Sequence, residues 1–261
     1  LPWGRNSTGA AANSRACQSV PVINPIESVW ARSRSGAFCD LESVQEGINR
    51  LEERYRDTFR ILTDNHIDFD YGEEDILARH GSVRDGLLCV GKCVYHTVLV
   101  AGMETMRTTT WELLEGYRKQ GGRLVFAGEA PGYVDVQPSE KVRELARRAL
   151  QIPFEKEKIV SSCSAQQIKL TGKNASGVAV QMRKTGQETL IFLLNMDRDH
   201  AAGKVTLSLE EDGYPELWDA MSGKIAACVF RKKDGRMEIP LTFAAGEEKL
   251  LVITAQCRPC P

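Results

Sequence analysis

The stretch Tyr95–Gly128 restricts the fold more than any other part of the chain. Val98, Leu99, Val100 and Ala101 form a short unbroken apolar run, and Leu124, Val125, Phe126 and Ala127 form a second. Strands that are apolar on both faces are covered on both faces, as in a parallel sheet flanked by helices. Between the two runs, Thr109 and Glu112 fit a capping box, in which the Thr hydroxyl accepts the N3 amide and the Glu reaches back. Trp111, Leu114 and Tyr117 then make one apolar stripe, and Gly121-Gly122 ends the helix. The stretch therefore predicts a strand–helix–strand unit with a right-handed crossover.

The flanking sequence extends this pattern. Val20–Ile23 predicts a first strand, stopped by Asn24-Pro25. Asp40 suits the N-cap of a long helix, in which Val44, Ile48, Leu51, Tyr55, Phe59 and Leu62 recur at helical spacing. Its opposite face, with Glu46, Arg50, Glu53, Arg54, Arg56 and Asp57, reads as solvated surface. Ile67–Tyr71 predicts a second strand, and Glu73–His80 a short helix capped by Gly81. Leu87–Val90 lies too close to the next strand for a parallel crossover, so it is an antiparallel edge, a hairpin arm or a connecting loop. Ser139 caps a helix with Val142, Leu145, Ala146 and Ala149 on its core face, and Lys158–Ser161 reads as a last strand. Together these predict an α/β domain over residues 20–165 with a flavodoxin-like, doubly wound sheet.

Near Cys163 to Gln166 the period changes to two and helical patterns stop. Val178, Val180 and Met182 share a face, as do Val205, Leu207 and Leu209, and Met237, Ile239 and Leu241. Thr185-Gly186, Ser222-Gly223 and Asp234-Gly235 are tight-turn dipeptides between these runs. Residues 166–261 are therefore expected to form an antiparallel β-sandwich. Residues 1–19, rich in Gly, Asn, Ser and Ala, show no period and read as a linker or the tail of a preceding domain.

Composition narrows the function. Lys and Arg total 34 against 35 Asp and Glu, which argues against a dedicated nucleic-acid or anionic-membrane surface. No apolar run is long enough to span a bilayer, and the basic-then-apolar pattern of a signal peptide is absent, so the expected setting is cytoplasmic. The 8 Cys are scattered and read as ordinary reduced thiols. Cys257-x-x-Cys260 lacks the strand and helix that a redox motif needs, and no second pair completes a zinc site. No Gly-x-Gly-x-x-Gly, Walker-type loop or Gly-x-Ser-x-Gly elbow is present, and His66, His80, His96 and His200 lack metal-ligand spacing. No cofactor and no metal are expected.

Ligands in open α/β sheets bind beyond the carboxyl ends of the strands. Glu27 and Trp30 follow the first predicted strand, Asp70 and Tyr71 end the second, and Glu129 follows the strand ending at Gly128. A cleft lined by Glu27, Trp30, Asp70, Tyr71 and Glu129 suits a carbohydrate, because sugar rings stack on aromatic faces and sugar hydroxyls need acceptors. The competing reading makes Glu27 and Trp30 packing residues and Asp68 to Asp75 a helix start favoured by the dipole. Cys93 is the candidate thiol nucleophile. The amidotransferase elbow Gly-x-Cys-x-Gly has Tyr95 where its second Gly belongs, and Tyr suits that strained turn poorly.

Asp68-Phe-Asp-Tyr-Gly-Glu-Glu-Asp-Ile-Leu, the segments Leu87–Gly91 and Tyr95–Gly102, and Tyr117-Arg-Lys-Gln-Gly-Gly-Arg-Leu-Val resemble a recurring accessory domain. It is the class I glutamine-amidotransferase-like domain that follows the catalytic barrel in trimerising β-galactosidases and related bacterial glycoside hydrolases. Pro25-Ile-Glu-Ser-Val-Trp-Ala looks like its start; Phe192-Leu-Leu-Asn and Glu216-Leu-Trp-Asp-Ala-Met-Ser-Gly-Lys look like the β-sandwich that closes such enzymes. The resemblance implies a non-catalytic C-terminal part of a glycoside hydrolase, whose acid and nucleophile lie in an upstream barrel of the same polypeptide. It also implies subunit assembly, a homo-oligomer, and a wall of the sugar cleft. The alternative is a free-standing α/β hydrolase or transferase using Cys93 or the strand-end carboxylates.

Overall fold

The computed structural model describes residues 15–16, 20–33, 46–163, 168–186 and 188–256. The chain forms two compact units. One gathers strand β1 (Arg15–Ala16), the segment Thr63–Asp68 and Ala165–Pro261; the other spans Gln18–Leu62 and Phe69–Ser164.

The α/β unit runs β2 (Val20–Ile23), α1 (Ile26–Arg32), α2 (Glu46–Asp64), β3 (Phe69–Gly72) and α3 (Glu74–His80). Then come β4 (Gly81–Arg84), β5 (Leu87–Val90), β6 (Cys93–Tyr95), β7 (Thr97–Ala101), β8 (Thr105–Met106) and α4 (Thr108–Lys119). It closes with β9 (Arg123–Ala127), β10 (Tyr133–Val134), β11 (Gln137–Pro138), α5 (Lys141–Arg147), β12 (Leu150–Ile152) and α6 (Lys156–Cys163). Five strands form an all-parallel sheet in the order β3-β2-β7-β9-β12. Its first strand in sequence lies between the second and the third, so the winding direction reverses between β2 and β7.

The two apolar runs pair in register, Val98 with Leu124 and Val100 with Phe126. Val98, Val100, Leu124 and Phe126 share one core with Leu114 and Tyr117 of α4 and Val142, Leu145 and Ala146 of α5. The alternate residues Val22, Leu99 and Val125 are equally buried on the opposite face. On α2, Leu51 and Leu62 are buried while Tyr55 and Phe59 keep over a third of their surface exposed. Strands β4, β5 and β6 form a separate antiparallel meander, in which Leu87–Val90 is the central strand. Its first turn, Asp85-Gly86, takes positive φ at both residues.

Several local readings need correction. Helix α4 starts at Thr108 and its N-cap, Arg107, makes no side-chain cap bond, so Thr109 and Glu112 form no capping box. Its first amides are instead held by carboxylates distant in sequence, described below. Lys158–Ser161 lies inside α6, where the buried residues Ile159, Ser162 and Cys163 follow helical spacing; the closing strand is β12, parallel to β9. The second strand begins at Phe69 rather than Ile67. Gly81 does cap α3, its amide donating to the Leu77 carbonyl, and it does so in an extended conformation at φ −79°. It is small because an added Cβ would meet the Leu77 carbonyl oxygen at 2.3 Å. Asp40 and Val44 lie outside the described residues.

The second unit carries β13 (Ile168–Thr171), β14 (Val178–Thr185), β15 (Glu188–Asn195), β16 (Gly203–Leu209) and β17 (Tyr214–Trp218). It continues through β18 (Ile225–Ala227), β19 (Arg231–Lys233), β20 (Arg236–Phe243) and β21 (Glu248–Thr254). One antiparallel sheet has the order β1-β14-β15-β21-β17-β18 and the other β13-β16-β20-β19. Residues from both, among them Val178, Ile191 and Leu251 with Val205, Leu207 and Ile239, form one apolar core. Asp234-Gly235 joins β19 to β20 with φ 51° and 75°, the twist that a two-residue hairpin turn requires.

Candidate functional site

The carboxyl ends of the parallel strands are bound together by polar side chains from α1, α3 and the β7–β8 loop. Ser28, fully buried on α1, accepts the amides of Glu104 (2.9 Å) and Thr105 (3.1 Å) through its hydroxyl. A small hydroxyl on a short helix thus satisfies two loop donors that would otherwise be buried without partners. Glu104 accepts Arg32 Nε at 2.5 Å and Nη2 at 2.9 Å, and Arg50 Nη2 at 3.1 Å. Burial alone would raise the Glu104 carboxyl, but the hydrogen bonds and charges of Arg32 and Arg50 hold it below the usual range.

A second network surrounds Arg107, the residue before α4. Its guanidinium donates to Glu27 Oε1, through Nε at 2.8 Å and through Nη2, and lies 3.7 Å from Asp75. The Arg107 amide donates to Glu74 Oε2 at 2.8 Å, and the Thr108 amide to Asp135 Oδ1 at 3.0 Å. These two carboxylates do the work expected of a local capping box. Glu74 is only 1% exposed, and its Oε1 has no partner among the described residues. Burial pushes its carboxyl up; Thr110 and the Arg107 amide oppose the rise, and Glu27 adds to it. Asp135 is held below the usual range by the Thr108 hydroxyl and amide.

The five residues expected to line one cleft take different places. Glu27 is occupied by Arg107. Trp30 stands out from α1 with 59% of its surface exposed. Asp70 and Tyr71, adjacent on β3, project to opposite faces of the sheet. Asp70 accepts the Tyr95 hydroxyl at 3.1 Å, and Tyr71 stacks on Tyr55 of α2 at 4.6 Å between centroids. Burial raises both the Tyr71 and the Tyr95 phenols. Glu129, just beyond β9, is exposed. Cys93 is half-buried within β6 of the meander and not on a strand–helix turn. Among the described residues, no group of His, Cys, Asp and Glu is arranged to hold a metal ion.

Sequence reading missed Ser28, Arg32, Glu104 and Arg107 as the organisers of the strand ends. It also missed a cavity of about 570 Å³ beside Asn24 at the end of β2, lined by residues of α1 and α2. The exposure of Tyr55 and Phe59 in an otherwise core-facing stripe marks this cavity.

No family model and no curated protein matches the chain. Solved structures do. A rhamnosidase from Novosphingobium sp. PP1Y matches with TM-score 0.60 and 17% identity, over 94% of this chain and 23% of its own. The α-L-fucosidase isoenzyme 2 of Paenibacillus thiaminolyticus matches with TM-score 0.55 and 9% identity, over 94% and 50%. A β-galactosidase from Bacillus circulans sp. alkalophilus matches with TM-score 0.51 and 12% identity, over 92% and 42%. At these identities the likeness shows the fold: a parallel-sheet α/β region followed by antiparallel sheets. The chain spans at most half the length of these structures. No helix among the described residues is long and apolar enough to cross a membrane.

Proposed function

We propose that this chain is a non-catalytic, C-terminal part of a glycoside hydrolase, in which the α/β unit is a flavodoxin-like, amidotransferase-like accessory domain. It serves subunit assembly and walls the sugar cleft, while the catalytic carboxylates belong to a barrel upstream in the same polypeptide. One observation carries the reading: both units match together, in this order, inside longer chains described as a rhamnosidase, a fucosidase and a β-galactosidase. The local chemistry agrees. Glu27 and Glu104 are engaged by arginines, and Glu74 is sealed from solvent. Of the strand-end residues, the exposed Trp30 and Glu129 are those we assign to contacts with sugar or a neighbouring subunit. Glu27, Asp70 and Tyr71 position the elements around them.

The test is the size of the native protein, read by blotting source-cell lysate with an antibody to this chain. A band larger by a barrel of roughly 250 residues is expected. A band at the 29.0 kDa of this chain overturns the proposal. In the full-length enzyme, Trp30→Ala is expected to raise KM at unchanged kcat or to weaken subunit association. If it does neither, Trp30 has no part in the cleft or the interface.

A further inference from the structure

We propose that the cavity between α1 and α2 is a binding site for a neutral pyranose. The inference rests on the glycoside hydrolase reading and deepens it. The cavity opens at the carboxyl end of β2, beside the reversal of sheet winding, where open α/β sheets receive ligands. Its volume of about 570 Å³ lies in the range of small-molecule sites, as does its mostly apolar lining with a few polar groups.

The lining suits a sugar for three reasons. Tyr55 and Phe59 give aromatic surface, 39% and 37% exposed, on a helix stripe that otherwise faces the core. Both rings are held from behind: Tyr55 stacks on Tyr71, Tyr71 packs edge-on against Phe69 at 5.5 Å, and Phe69 against Phe59 at 5.8 Å. A platform fixed before binding loses little entropy when a ring docks on it. Secondly, the two charged groups are uncommitted. Glu52 and Arg56 lie one helical turn apart, yet neither forms an ion pair or hydrogen bond with a described residue. Asn24, also on the lining, donates its side-chain amide to Glu73. Thirdly, the charges oppose each other. An anionic ligand meets Glu52 and a cationic one meets Arg56, whereas a neutral polyol uses the donors of one and the acceptors of the other.

The test titrates the full chain with methyl β-D-galactopyranoside, methyl α-L-rhamnopyranoside and L-fucose, followed by calorimetry and saturation-transfer NMR. At least one is expected to bind saturably. Arg56→Gln and Glu52→Gln, both at exposed helix positions that leave the core untouched, should weaken it about tenfold, as for the loss of one charged hydrogen bond. Phe59→Ala should abolish the ring contact. Three results overturn the proposal: no saturable binding of any of the three sugars, binding that neither rim substitution alters, or self-association that depends on Glu52 and Arg56, which would make the cavity a seat for a second copy. Native size judges the enzyme assignment independently. A large native band with no pyranoside binding removes the cavity site and leaves the assignment standing.

Discussion

Glu74→Gln is the substitution whose outcome the structure fixes most closely. Glu74 caps α4 through one oxygen, which accepts the Arg107 amide at 2.8 Å, while its second oxygen and the nearby Thr110 hydroxyl are buried with no hydrogen bond of regular geometry. Burial pushes the carboxyl above its ordinary value of 4.5. The charged groups facing it are Glu27, which adds to the rise, and Arg107, which opposes it while paired with Glu27 and Asp75. Because the folded-state value is the higher one, the native state binds more protons than the unfolded chain between the two values. The contribution to stability is therefore complete below about 4.5 and is lost as pH rises through the folded-state value. Glutamine reproduces the neutral form: its carbonyl accepts the Arg107 amide and its NH₂ gives Thr110 a donor. An unpaired buried acceptor costs about 1–3 kcal/mol. At pH 8 the variant should be more stable by about 1–2 kcal/mol, a Tm higher by about 2–8 °C. At pH 4 the two proteins should melt together. Scanning calorimetry across this range decides it. A variant destabilised at pH 8, or a difference that does not change with pH, would refute the argument, since either means that the fold holds Glu74 as a carboxylate.

Four further outcomes follow from the same geometry. Gly122→Ala would place a Cβ 2.3 Å from the ring of Tyr117, itself fully buried, and should cost about 1–3 kcal/mol in urea unfolding. Ser28→Ala removes the acceptor of two loop amides and should cost about 1–3 kcal/mol, with faster hydrogen exchange at Glu104 and Thr105. Asp135→Ala should cost about 0.5–2 kcal/mol through the lost cap on Thr108. Because the Asp135 carboxyl is held low in the fold, this difference is present above its ordinary 3.8 and disappears as pH falls through the folded-state value. Burial pushes the Cys163 thiol up to about 12 and the Cys228 thiol up to about 11, so native protein at pH 8 should alkylate slowly with iodoacetamide at both, and rapid labelling contradicts the burial.

The parts of the fold legible in the sequence are those whose signal is local. Val98–Ala101 and Leu124–Ala127 announce buried parallel strands because each is apolar on both faces, and the alternation in β14, β16 and β20 announces sheets with one covered face. Strand β12 gives no such signal: it has three residues, and Leu150 at the sheet edge is 40% exposed. The caps of α4 were hidden for a different reason. Asp135 lies 27 residues from Thr108 and Glu74 lies 33 from Arg107, so no local pattern links them, while Thr109 and Glu112 offered a nearby substitute that the fold does not use. Ser28 reaches across 76 residues to Glu104. The partners of the strand-end residues come from elements whose approach only the tertiary fold decides.

Those partners bear on what the α/β unit can do chemically. Glycosidic cleavage by paired carboxylates needs one held protonated as acid and one ionised and free to reach the sugar. Here the two requirements fall on different residues and each fails. Glu74 has the raised carboxyl of a general acid, but its 1% exposure closes it to a substrate, and its Oε2 is committed to the Arg107 amide. Glu104 is ionised, but Arg32 grips both of its oxygens and Arg50 adds a third contact. Releasing Glu104 would break its two contacts with Arg32 and its contact with Arg50, which together tie the β7–β8 loop to α1 and α2. Glu74 and Glu104 are thus spent on tying α1, α3 and α4 to the strand ends. Arg32→Met offers the check. If Glu104 is structural, the variant should lose stability and gain no hydrolysis of a nitrophenyl glycoside, whereas new activity at the freed carboxylate would reverse the assignment.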